Sequence, residues 1–160
     1  MSALLYIHGF LSSPRSLKAV QMGVWLQQNR PQIQYLCPLL TPYPDQTLAT
    51  LASLIEQALP GPVYLIGSSL GGFWATWLAE KYNLRAVLIN PVVDLGLFNQ
   101  TYLHVQLKNY HTEDTYRLEQ QHIAGYNAVD VPIIRRPLNY LLMVQTGDEV
   151  LDYRLSVQKY

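Results

Sequence analysis

The sequence predicts an α/β domain with a mostly parallel sheet and flanking helices, and three observations carry that prediction. Short β-rich apolar runs alternate with longer segments whose apolar residues recur at helical spacing, the pattern of strands joined by crossover helices. One of these runs, residues 63–66, shows no polar alternation, as a strand covered on both faces requires. The composition fits as well: 160 residues, 49% hydrophobic and 14% charged, suffice for one domain that buries roughly 70% of the surface its unfolded chain exposes.

In order along the chain, residues 3–7 form the first strand. Ser12-Ser13-Pro14 then starts a helix over residues 15–28, with Leu17, Val20, Val24 and Trp25 at helical spacing. Residues 33–36 make a second short run, closed by Cys37-Pro38. Leu48, Leu51, Leu54, Ile55 and Leu59 mark an amphipathic helix over residues 45–59, ended by Pro60-Gly61-Pro62. After the strand at 63–66 comes a helix over residues 70–81. It carries Phe73, Trp74, Ala75, Trp77, Leu78 and Ala79, so it should lie against the sheet with little exposure. Residues 86–89 form the next strand, stopped by Asn90-Pro91. Residues 92–137 change character: they gather Tyr102, Tyr110, Tyr116 and Tyr126 with His104, His111 and His122, show no clear β run, and read as a lid-like insertion with a short helix near residues 114–122. Strand composition returns at 138–145 and runs into Thr146-Gly147-Asp148-Glu149, with a last helix from about Leu151. With no internal repeat and no low-complexity tract, residues 1–160 read as a single unit with one excursion.

Charge excludes whole classes of partner. Eleven basic and eleven acidic residues cancel, and no basic run exceeds Arg135-Arg136, so there is no electrostatic footprint for nucleic acid. No stretch approaches the roughly 20 apolar residues of a membrane span, and no basic segment precedes His8-Gly9 as a signal peptide would require. The single cysteine, Cys37, can make no internal disulfide. These features predict a cytoplasmic protein whose partner is a small molecule.

Gly67-Ser68-Ser69-Leu70-Gly71 fits G-x-S-x-G and lies between a strand and a helix, the setting of a nucleophile elbow. In so tight a turn the serine takes a strained backbone conformation, and Gly67 and Gly71 leave room where a Cβ would collide. Ser69 is thus the candidate nucleophile, with the free N–H of Leu70 at the helix N-terminus as one oxyanion donor. The loop Tyr6-Ile7-His8-Gly9-Phe10 offers a second donor in the N–H of Phe10, with Gly9 permitting close approach; His8 is expected to fix this loop by hydrogen bonds. The acid expected after a later strand is Asp148, with Glu149, Asp152 and the earlier Asp94 as alternatives; the competing role for Asp148 is an N-cap on the following helix.

Taken together, Ile7-His8-Gly9-Phe10, the Gly67 to Gly72 elbow and the run from Thr146 to Arg154 resemble the YqiA-like bacterial esterases, small members of the α/β-hydrolase superfamily. The resemblance extends over residues 1–160, including Asn90-Pro91 and the Tyr-rich insertion. It implies the α/β-hydrolase fold and hydrolysis of acyl esters or thioesters through an acyl-enzyme on Ser69, with Asp148 as triad acid and no cofactor. It also implies a catalytic histidine in a loop after one further strand. No histidine follows His122, so that residue is expected beyond residue 160, and the 160-residue chain is expected to be nearly inactive. Two other readings are a hydrolase using His8 or His122 as base, and a non-catalytic protein that keeps the pocket for binding. The three histidines of the insertion are irregularly spaced and poor in neighbouring carboxylates, and no metal is expected there.

Overall fold

The computed structural model describes residues 2–160, apart from the side chain of Leu97. Its centre is a five-stranded sheet of β1 (Ser2–Ile7), β2 (Ile33–Leu36), β3 (Val63–Ser68), β4 (Arg85–Ile89) and β7 (Tyr140–Met143), in the order β2-β1-β3-β4-β7 with each neighbouring pair parallel. The crossovers are α1 (Leu17–Asn29), α2 (Pro44–Ala58) and α3 (Leu70–Tyr82). This is the α/β-hydrolase architecture. The chain leaves β1 toward one edge of the sheet and leaves β3 toward the other, so the strand order reverses between them. The loops leaving β1 and β3 therefore diverge above a crevice, the place where open parallel sheets put their ligands.

Strand alternation divides the apolar residues between two faces. Ala3, Leu5 and Ile7 join Leu65, Leu88, the α2 residues Leu51 and Ile55, and Phe73, Trp74 and Leu78 of α3 in the main core. Tyr6 and Ile66 point the other way and meet Ala19 of α1. That helix departs from its periodicity. Leu17, Val20, Val24 and Trp25 are all exposed, and Ala19 and Leu26 are the buried residues. The reason is distance: small residues let the helix approach. A Cβ at Gly23 would stand 3.0 Å from the Tyr35 ring, and the Tyr35 hydroxyl donates to the Ala19 carbonyl at 2.7 Å.

The insertion is more ordered than its composition predicts. It contains α4 (Leu95–Tyr102), an antiparallel ribbon of β5 (Gln106–Lys108) and β6 (Thr115–Arg117), and α5 (Gln120–Ala128). The expected absence of a β run is corrected by that ribbon, whose three-residue strands are too short to show a period. The helix expected near residues 114–122 begins at Gln120, because Glu119 and His122 form a reciprocal capping box there. α5 seats on α2, where a Cβ at Gly125 would meet the Pro44 ring and the buried Tyr126 hydroxyl donates to the Pro42 carbonyl at 2.9 Å. After β7, α6 (Tyr153–Lys159) returns to α3, where the Tyr160 and Thr76 hydroxyls share a hydrogen bond of 2.6 Å. No described helix is long and apolar enough to cross a membrane.

Candidate functional site

Ser69 occupies the turn between β3 and α3 with φ 55° and ψ −120°, a region that L-residues avoid. Its neighbours show why glycine stands on either side. A Cβ at Gly67 would strike the Gly71 carbonyl, and one at Gly71 would strike the Ile7 carbonyl of the adjacent strand. Hydrogen bonds hold the strained residue in place: its N–H donates to the Ile89 carbonyl at 3.0 Å, and its own carbonyl accepts from Gly72 at 2.9 Å and Val92 at 3.0 Å.

The loop after β1 lies directly over this turn. A Cβ at Gly9 would come 3.3 Å from the Ser69 Cβ and 3.8 Å from its Oγ. Phe10, Ser69 and Leu70 line one cavity of about 200 Å³. Among the described residues the backbone N–H groups of Phe10 and Leu70 have no hydrogen-bond partner, so both remain available to a ligand. The insertion steadies the Phe10 loop from outside: Tyr110 N–H donates to the Leu11 carbonyl at 2.8 Å, and the buried Asn109 side chain donates to the Ser12 carbonyl at 2.9 Å.

His8 is 4% exposed, and both ring nitrogens are occupied. Nε2 accepts the Leu40 N–H at 3.1 Å, which leaves Nδ1 as the protonated nitrogen donating to the Gly9 carbonyl at 2.9 Å. Burial, only partly offset by the Gly9 bond, holds its pKa below the ordinary histidine value. His8 is therefore held neutral as a strut for the loop, and neither ring nitrogen is free for the alternative reading in which it acts as base. His122 lies elsewhere: its Nδ1 accepts the Glu119 N–H at 2.9 Å and its ring lines a separate groove with Pro44, Asp45 and Leu48. No histidine lines the Ser69 cavity among the described residues.

The carboxylates divide the work between them. Asp148 Oδ1 accepts the N–H groups of Val150 and Leu151, each at 2.9 Å, and those two residues form a wall of the Ser69 cavity. Asp148 itself lines the adjoining groove with Asp94, Glu149 and Asp152, on the far side of that wall. The N-cap of α6 is Asp152, which accepts the Arg154 N–H at 3.0 Å; Asp148 does not cap it. Asp94 caps α4 through the Gly96 N–H at 2.7 Å and also lines the Ser69 cavity. Asn90, with φ 41°, ties the exits of β4 and β7 together: its Oδ1 accepts the Gln145 N–H at 2.8 Å, which sets the start of the Asp148 turn.

Reasoning from the sequence missed most of the cavity wall: Val92, Phe98, Thr101, Val150 and Leu151. The i, i+3, i+4 spacing of Phe98, Thr101 and Tyr102 is the signal that marks one face of a short helix.

A model described as "Uncharacterised protein family (UPF0227)" matches residues 3–160. Among solved structures, the chain is similar to a putative hydrolase from Agrobacterium vitis S4 (TM-score 0.72, 14% identity, covering 99% of this chain and 74% of that one). It is also similar to alpha/beta hydrolase domain-containing protein 10 from mouse (TM-score 0.68, 17% identity, covering 98% and 73%). A third is Est1E from Butyrivibrio proteoclasticus with ferulic acid bound (TM-score 0.69, 13% identity, covering 99% and 74%).

Proposed function

The chain belongs to UPF0227, the YqiA-like family whose motifs it carries, and from that premise we propose that it is a serine esterase acting on acyl esters or thioesters. The observation that carries the reading is Ser69 at positive φ on the floor of a cavity beside two N–H groups with no partner among the described residues. In the first step the Ser69 Oγ bonds to the substrate carbonyl carbon as its proton passes to a histidine, while the N–H groups of Leu70 and Phe10 take up the oxyanion. Collapse expels the alcohol or thiol, protonated by the same histidine, and water then cleaves the acyl-enzyme. Asp148 orients that histidine. In this reading the base is supplied from outside residues 1–160, for none of His8, His104, His111 and His122 lines the cavity. No step needs a metal or cofactor.

The test compares p-nitrophenyl butyrate hydrolysis and fluorophosphonate labelling for the 160-residue chain and for the longest product of its reading frame. The longer product is expected to be active and labelled on Ser69, and Ser69→Ala to abolish both. Asp148→Asn is expected to lower turnover by about 10⁴. Silence of the longer product would overturn the esterase reading.

A further inference from the structure

The cavity beside Ser69 also limits what can be bound there. The geometry points to a pocket for a short, uncharged acyl group of about six heavy atoms, closed by the aromatic rings of Phe10, Phe98 and Tyr102. This inference rests on Ser69 as the nucleophile and adds the substrate class.

Volume sets the size. At liquid density one heavy-atom group takes roughly 30 Å³, so a cavity of about 200 Å³ holds on the order of six or seven of them. The end wall is a triangle of rings. Phe10 and Phe98 meet edge to face at 4.7 Å between centroids, Phe10 and Tyr102 lie at 4.7 Å, and Phe98 and Tyr102 at 5.0 Å. Phe98 is further backed by Tyr126 at 5.4 Å, and Tyr126 is anchored to the Pro42 carbonyl. A longer chain must therefore leave the cavity through its open side or break apart a braced cluster. Polarity sets the charge. Among the described residues no basic side chain lines the cavity, and the one carboxylate, Asp94, repels an acyl group that ends in a second carboxylate. Val92, Leu151 and the three rings give an apolar lining that rewards methylenes.

Alkylboronic acids from propyl to decyl test the pocket without turnover. The Ser69 Oγ forms a bond to trigonal boron, its proton passes to water, and the resulting tetrahedral boronate places the alkyl group where the acyl chain would lie. Binding to the 160-residue chain is followed by calorimetry, with ¹¹B NMR to identify the adduct. Affinity is expected to rise by about fourfold per methylene up to pentyl. It should then fall at least about tenfold by decyl, as the chain outgrows the cavity. Phe98→Ala should shift the optimum to longer chains, and Val150→Trp, at a position 75% exposed and tolerant of bulk, should shift it to shorter ones. Affinity that climbs unbroken to decyl, or an optimum that neither variant moves, overturns the inference while leaving Ser69 in place. No difference between the wild-type chain and Ser69→Ala across the series shows that no adduct forms on the chain without its base, and the chain-length optimum is then read from non-covalent binding. The nucleophile reading beneath falls only if Ser69 of the longer product also escapes fluorophosphonate labelling.

Discussion

The two faces of the central sheet are drawn from alternate residues of the same strands, yet their environments differ sharply. On the face toward α2 and α3, Leu5, Ile7, Leu65 and Leu88 are at most 1% exposed. On the face toward α1, Tyr6 and Ile66 are covered, but Tyr64 is 41% exposed, Leu141 59% and Met143 52%. The residue types are alike, so hydrophobicity does not account for the difference. What differs is the number of helices: α2 and α3 together cover one face, and α1 alone lies on the other, toward its β2 end, where it reaches Tyr35 of β2 and Tyr6 and Ile66 beyond. The candidate site belongs to the covered side. α3 supplies Leu70 from its first turn, and its packing against β1 and β3 holds the Ser69 turn rigid.

Substitutions graded across the two faces should expose the contrast. Leu88→Ala removes a fully buried side chain from the covered face and is expected to cost about 2–5 kcal/mol in urea unfolding. A cost below 1 kcal/mol would show that this face is not the tight one. At the site end of β1, His8→Leu leaves the Leu40 N–H without its acceptor and is expected to cost about 1–3 kcal/mol at neutral pH. The same histidine gives a pH signature. Its folded pKa lies below the unfolded value of about 6.5, so the unfolded chain takes up the proton first. Stability from this group is complete above that pH and declines as the pH falls from there through the folded pKa. Thermal melts of the wild-type chain should show that decline and His8→Leu should lack it; equal slopes would mean that His8 is not held neutral. The smallest effect is expected on the open face, where Leu141→Lys should change stability by no more than about 0.5 kcal/mol. A loss comparable to Leu88→Ala would break the comparison and show that Leu141 is covered in solution.

Much of the fold was legible because it rests on local signals. Residues 33–36 form the strand their composition predicts, and the helix after Ser69 begins at Leu70 as its apolar run predicts. Legibility failed where packing distance, not hydrophobicity, chose the buried residue. Ala19 lies against the sheet in place of Val20, because Tyr35 stands beneath α1 and only a close approach brings its hydroxyl to the Ala19 carbonyl. It failed again in the β5–β6 ribbon, where three-residue strands carry too little pattern to read. Residues 8–10 and 67–71 could be singled out from sequence, whereas α4 could not be recognised as the wall that faces them.

The Ser69 turn is legible in the sequence, because the exclusion at Gly67 acts against Gly71 and Gly72, only a few residues on, whereas the need for glycine at Gly71 comes from the Ile7 carbonyl of the adjacent strand and is decided by the sheet. Its surroundings were decided only by tertiary structure. That Phe10 lies over Ser69, that Phe98 and Tyr102 line the cavity, and that His8 is spent on the Leu40 N–H all depend on segments distant in sequence meeting in space. Such meetings follow from how the helices share out the two faces of the sheet, a property of the packed whole that no short stretch of residues encodes.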